Sequence, residues 1–167
     1  MNCVELLELI NQHVEQSYGP RGETAPNIDC VPLLLSDDNI SRCIGVELFG
    51  ILLSSKTMTM HQACIPTGGL LAMMAMNRVY NFTHDPCAID YRRTTRRFRG
   101  HSPRPGERYV IVDDVCGTGH TIHETARLIR DMGASVNDAV VLVDRGVKGR
   151  EFLAQQGIQL HSFTRLQ

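Results

Sequence analysis

Apolar positions in the amino-terminal part of the chain recur mainly with helical spacing. Positions 4, 6, 7, 10 and 14 are apolar and predict a helix that ends before the Tyr18-Gly19-Pro20 turn. Residues 28–35 form a short apolar segment, which predicts a strand. Residues 36–38 are potential helix caps, and the apolar positions between 40 and 53 predict a long helix that packs on a sheet.

From residue 63 onward, strand-like apolar runs alternate with helical patterns. Strands are predicted at 63–65, 87–91, 110–112, 136–143 and 158–161, and helices at 70–79, from 122, and at 149–155. This alternation predicts an α/β fold, in which a doubly wound, mostly parallel sheet is flanked by helices. Ligand-binding loops are then expected at the carboxyl ends of the strands.

Composition narrows the class of protein. The 167 residues are 43% hydrophobic and carry a net charge of -1, which suits one domain and gives no general reason to bind nucleic acid or a membrane. Six cysteines occur without a Cys-x-x-Cys pair, so we expect reduced thiols. No apolar run reaches membrane-spanning length, and the acidic amphipathic start differs from a signal peptide, so a cytoplasmic location is expected.

The segment from Val110 to Thr121 carries the clearest chemical signal. Its β-branched run predicts a buried parallel strand that ends at two acids, Asp113 and Asp114. Residues 117–121 (Gly-Thr-Gly-His-Thr) follow just before a helical pattern, so free N–H groups and a positive helix end meet in one loop. Such a loop favours phosphate and the acids favour sugar hydroxyls, which predicts a ribose 5-phosphate site. The alternative is an ordinary strand-to-helix turn with solvated acids.

These residues resemble the signature of the type I phosphoribosyltransferases. The resemblance implies that the chain uses 5-phosphoribosyl 1-pyrophosphate (PRPP), with Asp113 and Asp114 at the ribose and as catalytic candidates. The residues implied for the 5-phosphate are Cys116, Gly117, Thr118, Gly119, His120 and Thr121. Magnesium is expected to arrive with PRPP and to have no direct protein ligand. Two further questions are open. The Cys116 thiol is either activated by the phosphate loop or a small residue that fills space there. His120 and His123 are either a pair of metal ligands or polar residues at the start of a helix.

Two other segments are expected to bind the pyrophosphate. Residues 67–69 (Thr-Gly-Gly) follow a predicted strand, and their glycines let backbone N–H groups approach an anion. Between Arg92 and Arg108 lie seven arginines and one acid, which predicts a mobile cationic loop that closes over a polyanion or, alternatively, a solvated basic face. The residues implied by the resemblance are Thr67, Gly68, Gly69, Arg92, Arg93 and Arg96.

The carboxyl-terminal third resembles the orotate branch of the family. A strand that ends in Asp144-Arg145 is followed by Gly-Arg-Glu at 149–151 and Leu-His-Ser at 160–162. The resemblance implies that Arg145 binds the base, although an Asp144–Arg145 structural pair is an alternative. In the cationic loop, Arg96 stands where that branch has a lysine and Phe98 where it has a histidine, so Arg96 and His101 are the candidate catalytic substitutes. The base-side candidates near the amino terminus are Arg21, Asn27 and Ile28.

The resemblance implies one domain over residues 1–167, with a helix and a small amino-terminal hood on the base side at 1–35 and a PRPP-binding core at 36–167. The expected activity is transfer of ribose 5-phosphate from PRPP to a nucleobase, most readily orotate, by a homodimer. Three alternatives remain open: a transferase for another base, a PRPP-binding regulator with little activity, and RNA binding by the arginine stretch, for which stacking aromatics beyond Phe98 are lacking.

Overall fold

A computed structural model of the chain describes residues 2–16, 30–57, 60–80, 87–92 and 95–166. Within these ranges the helices are α1 (Cys3–Gln16), α2 (Val31–Ser36), α3 (Asp38–Ser54), α4 (Gly68–Val79), α5 (His120–Asp131) and α6 (Val147–Gln155). The strands are β1 (His61–Cys64), β2 (Cys87–Arg92), β3 (Thr95–Gly100), β4 (Arg108–Cys116), β5 (Ser135–Asp144) and β6 (Gln159–Arg165).

The strands form one six-stranded sheet in the order β3-β2-β1-β4-β5-β6. β2, β1, β4, β5 and β6 are parallel along the sheet, and β3 pairs antiparallel with β2 at one edge. Helices cross between the parallel strands, so the α/β architecture with a mostly parallel sheet is confirmed. The chain order reverses direction across the sheet between β1 and β4, which is where ligands bind in folds of this type.

Helices cover the two faces of the sheet because the central strands are apolar on both sides. In β4, Val110 and Val112 pack in a core with residues of α1, α2, α3 and α4. Tyr109 and Ile111 point to the other face and pack with residues of α5 and α6. The central strands are therefore packed on both faces, and the loops at their carboxyl ends begin from well-fixed positions.

Two predictions from the amino-acid pattern are wrong. The strand expected over residues 28–35 is instead the short helix α2 in its described part, with Pro32 in the first turn, where proline is tolerated. Leu33 and Leu34 of this helix are buried in the core. An apolar run of this length fits a strand and a buried helical turn equally well, and the contact with α3 decides between them.

The cationic stretch is also more regular than expected. Residues 95–100 form β3, which pairs with β2 from Arg92↔Thr95 to Cys87↔Gly100. Charged residues suit an edge strand because they discourage pairing with another chain. The predicted mobile loop is thus largely a hairpin in its described part, while residues 93 and 94 lie outside the described residues.

Candidate active site

The acid pair lies near the carboxyl end of β4, beside the strand-order reversal. Asp113 is only 8% exposed, and its Oδ1 accepts a hydrogen bond from the backbone N–H of Asp114 at 3.0 Å. Burial, followed by the negative charge of Asp114, raises the pKa of Asp113 well above its ordinary value. Backbone hydrogen bonds from Asp114 and Gly69 lower the pKa of Asp113 by less than this. Two neighbouring acids favour a ligand that brings hydroxyl groups or positive charge.

The start of α4 lies directly over this acid pair. A Cβ on Gly68 would overlap the carboxylate of Asp114, and a Cβ on Gly69 would lie 3.1 Å from Cα of Asp113. Only glycine permits such an approach of the helix start to the acids. The structure therefore brings the Thr67-Gly68-Gly69 loop and the Asp113-Asp114 pair together at one edge of the sheet.

The glycine-rich loop after β4 encloses a cavity at the amino end of α5. Gly119 is the residue before the helix and has a left-handed φ of 77°, a conformation that favours glycine. The cavity has a volume of about 220 Å³ and is lined by Asp113, Val115, Cys116, Gly117, Thr118, Gly119, Thr121, Ile122 and Arg145. Free N–H groups at a helix start with a cation nearby make this cavity suitable for a phosphate group.

Arg145 supplies the positive charge of this cavity. Its Nη1 lies 3.4 Å from the position that a Cβ on Gly117 would take, and its backbone N–H donates to the carbonyl of Cys116 at 2.9 Å. The alternative of an Asp144–Arg145 pair is not what the structure shows, because the Asp144 carboxylate is paired with Arg150 at 2.8 Å. The guanidinium of Arg145 is therefore available to a ligand.

Two side chains of the phosphate loop play a smaller part than their positions suggested. Burial is the main cause that raises the pKa of the Cys116 thiol to about 12, so it is a small filler and not an activated nucleophile. The ring of His120 stacks on Phe152 with centroids 4.5 Å apart, and His120 does not line the cavity. We assign only the backbone of His120 to the phosphate loop.

His101 is not brought to the acid pair. Its Nε2 donates to Oε2 of Glu107 at 3.2 Å, just before β4 begins. His61, the first residue of β1, stacks on His101 with centroids 5.7 Å apart. This cluster lies at the amino ends of the strands, and the six residue steps from Glu107 to Asp113 correspond to about 20 Å of extended strand. In the described part of the chain, His101 therefore does not lie where it could replace the loop histidine of the orotate branch as a catalytic acid.

The backbone places the hairpin arginines Arg92 and Arg96 at the carboxyl ends of the parallel strands. Arg92 ends β2, and Arg96 pairs with Tyr91 at the same end of the sheet as the acid pair. Their side chains lie outside the described residues. The predictions for Arg21, Asn27, Ile28 and Arg93 also fall outside the described residues.

Sequence reasoning missed the apolar wall of the cavity, which Val115 and Ile122 form. Ile122 lies in the first turn of α5, a position from which a side chain can reach the loop before the helix, and this is the signal that could have found it. Within the described ranges, no three His, Cys, Asp or Glu side chains are arranged to hold a metal ion. The described helices include none that is long and apolar enough to cross a membrane.

Fold and site together define a class of α/β proteins that bind a phosphorylated ribose at the carboxyl ends of a parallel sheet. Residues 63–154, more than half of the chain, match the family model described as the phosphoribosyl transferase domain. The chain belongs to this family.

Individual relatives differ in the base that their names specify. The chain is 34% identical over 128 residues to orotate phosphoribosyltransferase of Cenarchaeum symbiosum, and the matched region covers 74% of this chain and 58% of the relative. It is 29% identical over 132 residues to adenine phosphoribosyltransferase of Photorhabdus laumondii, which covers 77% of this chain and 67% of the relative. The crystal structure of orotate phosphoribosyltransferase from Aeropyrum pernix superimposes with a TM-score of 0.71 at 30% identity, over 83% of this chain and 78% of that chain. The chain thus spans about three fifths to four fifths of these relatives.

Proposed function

We propose that this protein transfers ribose 5-phosphate from PRPP to a nucleobase, and that the base is orotate. The observation that carries the proposal is the meeting of three elements at one sheet edge: the Asp113-Asp114 pair, the glycines of α4 and the phosphate cavity with Arg145. Each element matches one part of PRPP, namely the ribose hydroxyls, the pyrophosphate and the 5-phosphate.

The 5-phosphate is proposed to bind in the cavity after β4. Backbone N–H groups of residues 117–121 and the hydroxyls of Thr118 and Thr121 surround it, and the positive end of α5 favours its charge. The carboxylates of Asp113 and Asp114 accept hydrogen bonds from the ribose hydroxyls. The sugar is thereby fixed at both ends, which holds its anomeric carbon in one orientation.

The pyrophosphate is proposed to lie at the start of α4. Gly68 and Gly69 allow the start of α4 to contact the acid pair, and backbone N–H groups of residues 67–69 are assigned to the pyrophosphate beside it. Arg92, Arg93 and Arg96 are assigned to add positive charge. During transfer the bond from the anomeric carbon to pyrophosphate breaks, its electron pair leaves with pyrophosphate, and a ring nitrogen of the base forms the new bond while its proton passes to pyrophosphate or water. The protein mainly positions the reactants and opposes the negative charge that develops.

Magnesium is proposed to enter with PRPP, held by the pyrophosphate and ribose hydroxyls and by water. The acid pair fits such a ligand, because the negative charge of Asp114 disfavours ionisation of Asp113 and a cation-bearing ligand would relieve this repulsion. When bound, the ion neutralises charge on the pyrophosphate.

Arg145 is the reason for favouring orotate, because we assign its guanidinium to the base and leave the 5-phosphate to the backbone N–H groups and hydroxyls of residues 117–121. Orotate carries a carboxylate, which a guanidinium binds with a bidentate pair of hydrogen bonds, whereas adenine has no negative charge to offer. Arg145 is held at the cavity by its backbone bond to Cys116 and is not engaged by Asp144. A homodimer, in which the hairpin of one subunit approaches the site of the other, is also part of the proposal.

A regulator that binds PRPP without transferring it is the second candidate. It is favoured by the position of His101 at the opposite end of β4, which leaves the described part of the site without a histidine acid at the pyrophosphate loop.

The test is pyrophosphate release from PRPP and magnesium with orotate, uracil, adenine and other purine bases in turn. Release with orotate supports the proposal, and release with adenine alone would reassign the base. No release with any base, together with a PRPP-dependent rise in melting temperature, would favour the regulator.

A further inference from the structure

The most completely compensated buried charge near the site is Asp144, the last residue of β5. It is fully buried, and both of its carboxylate oxygens have donors. Oδ1 accepts the backbone N–H of Gly146 at 3.0 Å, and Oδ2 accepts Nε of Arg150 at 2.9 Å. A buried carboxylate with this arrangement is strongly tied to its partner, because losing the partner leaves an uncompensated charge.

Arg150 extends this connection to the edge strand. Its Nη1 donates to the carbonyl of Leu160 at 2.7 Å, and its Nη2 donates to the hydroxyl of Ser162 at 3.2 Å. One guanidinium thus connects the end of β5, the helix α6 and the strand β6. Arginine suits this task since its planar donors bind several acceptors at once.

The short segment enclosed by this pair contributes Arg145 to the cavity and contacts the phosphate loop. Residues 145–149 lie between Asp144 and Arg150, and they include Arg145, which lines the cavity, and Gly149. A Cβ on Gly149 would overlap the carbonyl oxygen of Gly117 and lie 3.2 Å from Sγ of Cys116. The segment therefore packs directly against the phosphate loop, and its position determines the positions of Gly117 and of the guanidinium of Arg145.

We infer that Arg150 is a positioning residue for the 5-phosphate site, acting through Asp144 to hold residues 145–149 against the phosphate loop. This inference rests on the proposed function for the identity of the ligand, PRPP. It assigns to Arg150 an effect on ligand affinity that is separate from its contribution to stability. Arg150 itself does not touch the cavity.

Arg150→Gln and Arg150→Lys are the test variants, and Arg165→Gln is the matched control. Arg165 is the other cation near Asp144, but its Nε lies 4.0 Å from Oδ2, and the side chain is 46% exposed. Its removal keeps the Asp144–Arg150 pair intact. Glutamine removes the ion pair at Arg150, whereas lysine keeps the charge and loses the donors to Leu160 and Ser162.

Kinetics with PRPP and calorimetry with ribose 5-phosphate are both measured well below the melting temperature of the least stable variant. For Arg150→Gln we expect the KM for PRPP and the Kd for ribose 5-phosphate to rise about tenfold with kcat changed less, the size of one lost charged contact. Arg150→Lys should recover most of this affinity although its melting temperature stays low. Arg165→Gln should leave both constants unchanged.

The outcomes separate this inference from the proposed function. Wild-type protein that binds ribose 5-phosphate but releases no pyrophosphate with any base would overturn the transferase, while the calorimetry still tests Arg150. A lower melting temperature in Arg150→Gln with unchanged KM and Kd would show a merely structural residue and overturn the inference. Wild-type protein that binds no ribose 5-phosphate and releases no pyrophosphate from PRPP would overturn both.

Discussion

The two ends of β4 hold carboxylates in opposite circumstances. At the amino end, Glu107 accepts hydrogen bonds from Tyr109, His101 and the backbone of Arg104 at 2.7 to 3.2 Å. These donors, the hydroxyl of Tyr109 above all, lower the pKa of Glu107 from 4.5 to about 2. At the carboxyl end, Asp113 is buried beside another acid, and its pKa is raised.

The difference separates a carboxylate that stabilises the fold from one that we propose to bind a ligand. The donors of Glu107 come from the protein, so its negative charge is compensated by hydrogen bonds within the folded chain. Asp113 accepts from backbone N–H groups only among the hydrogen bonds described for it, and in the proposed complex ribose hydroxyls would add donors and magnesium would add positive charge. Sites that are preorganised for a ligand commonly cost stability in this way.

The largest effect is expected from Asp114→Asn. The substitution replaces one of the two acceptor oxygens of residue 114 with a donor and removes a charge beside Gly68, so kcat/KM for PRPP should fall about 100-fold, the scale of a lost preorganised contact. The melting temperature of the unliganded protein should change little. Steady-state pyrophosphate release and thermal melting measure the two quantities, and unchanged turnover would remove Asp114 from the site.

Asp113→Asn should stabilise the unliganded protein while it impairs turnover. The raised pKa means that ionised Asp113 costs folding free energy at pH values above its folded pKa, and this cost disappears as the pH falls toward the ordinary pKa of aspartate. Asparagine keeps the acceptor for the N–H of Asp114 and has no charge to bury. Urea unfolding at pH 7 should show a higher free energy of unfolding than in wild type, and a lower one would contradict the assignment.

Glu107→Gln should have the reverse effect, with stability reduced by about 1–3 kcal/mol through loss of charged hydrogen bonds and with turnover retained. Because the folded pKa is lowered, the stabilisation from Glu107 is fully present above about pH 4.5 and is lost as the pH falls to about 2. Urea unfolding between pH 7 and pH 2 should therefore show a smaller loss in Glu107→Gln than in wild type. Parallel curves would show that Glu107 does not carry this pH dependence.

Tyr109→Phe is expected to give the smallest effect. It removes the 2.7 Å hydrogen bond to Glu107 and keeps the ring that packs in the core, so the free energy of unfolding should fall by about 1 kcal/mol. The KM for PRPP should not change, because Tyr109 lies at the amino end of β4 and does not line the cavity. A rise in KM would show that the two ends of β4 are coupled.

The sequence predicted the parts of the site that depend on local order. Local patterns predict three of these parts: the strand before Asp113, the loop with glycines at 117 and 119, and the Thr-Gly-Gly turn. Each has a local physical reason, so the sequence pattern alone was sufficient to predict it. Their meeting follows from the parallel sheet, which the alternation of strands and helices predicted.

The parts that were missed depend on contacts between distant residues. His101 is fixed by Glu107 and His61, which come together only through the pairing of β1 with β4. The partner of Asp144 is six residues away in α6 and not its neighbour Arg145, a choice made by the packing of that helix. The helix α2 replaced a predicted strand because burial against α3 decided the ambiguity of a short apolar run.

The most direct measurement is the shift in melting temperature that PRPP with magnesium produces in wild type, Asp114→Asn and Glu107→Gln. A ligand that binds only the folded state raises the melting temperature by an amount set by its affinity. We predict equal shifts in wild type and Glu107→Gln, from different starting temperatures, and a shift that is largely lost in Asp114→Asn. Equal shifts in all three proteins, or none in wild type, would contradict the assignment of the carboxyl end of β4 as the PRPP site.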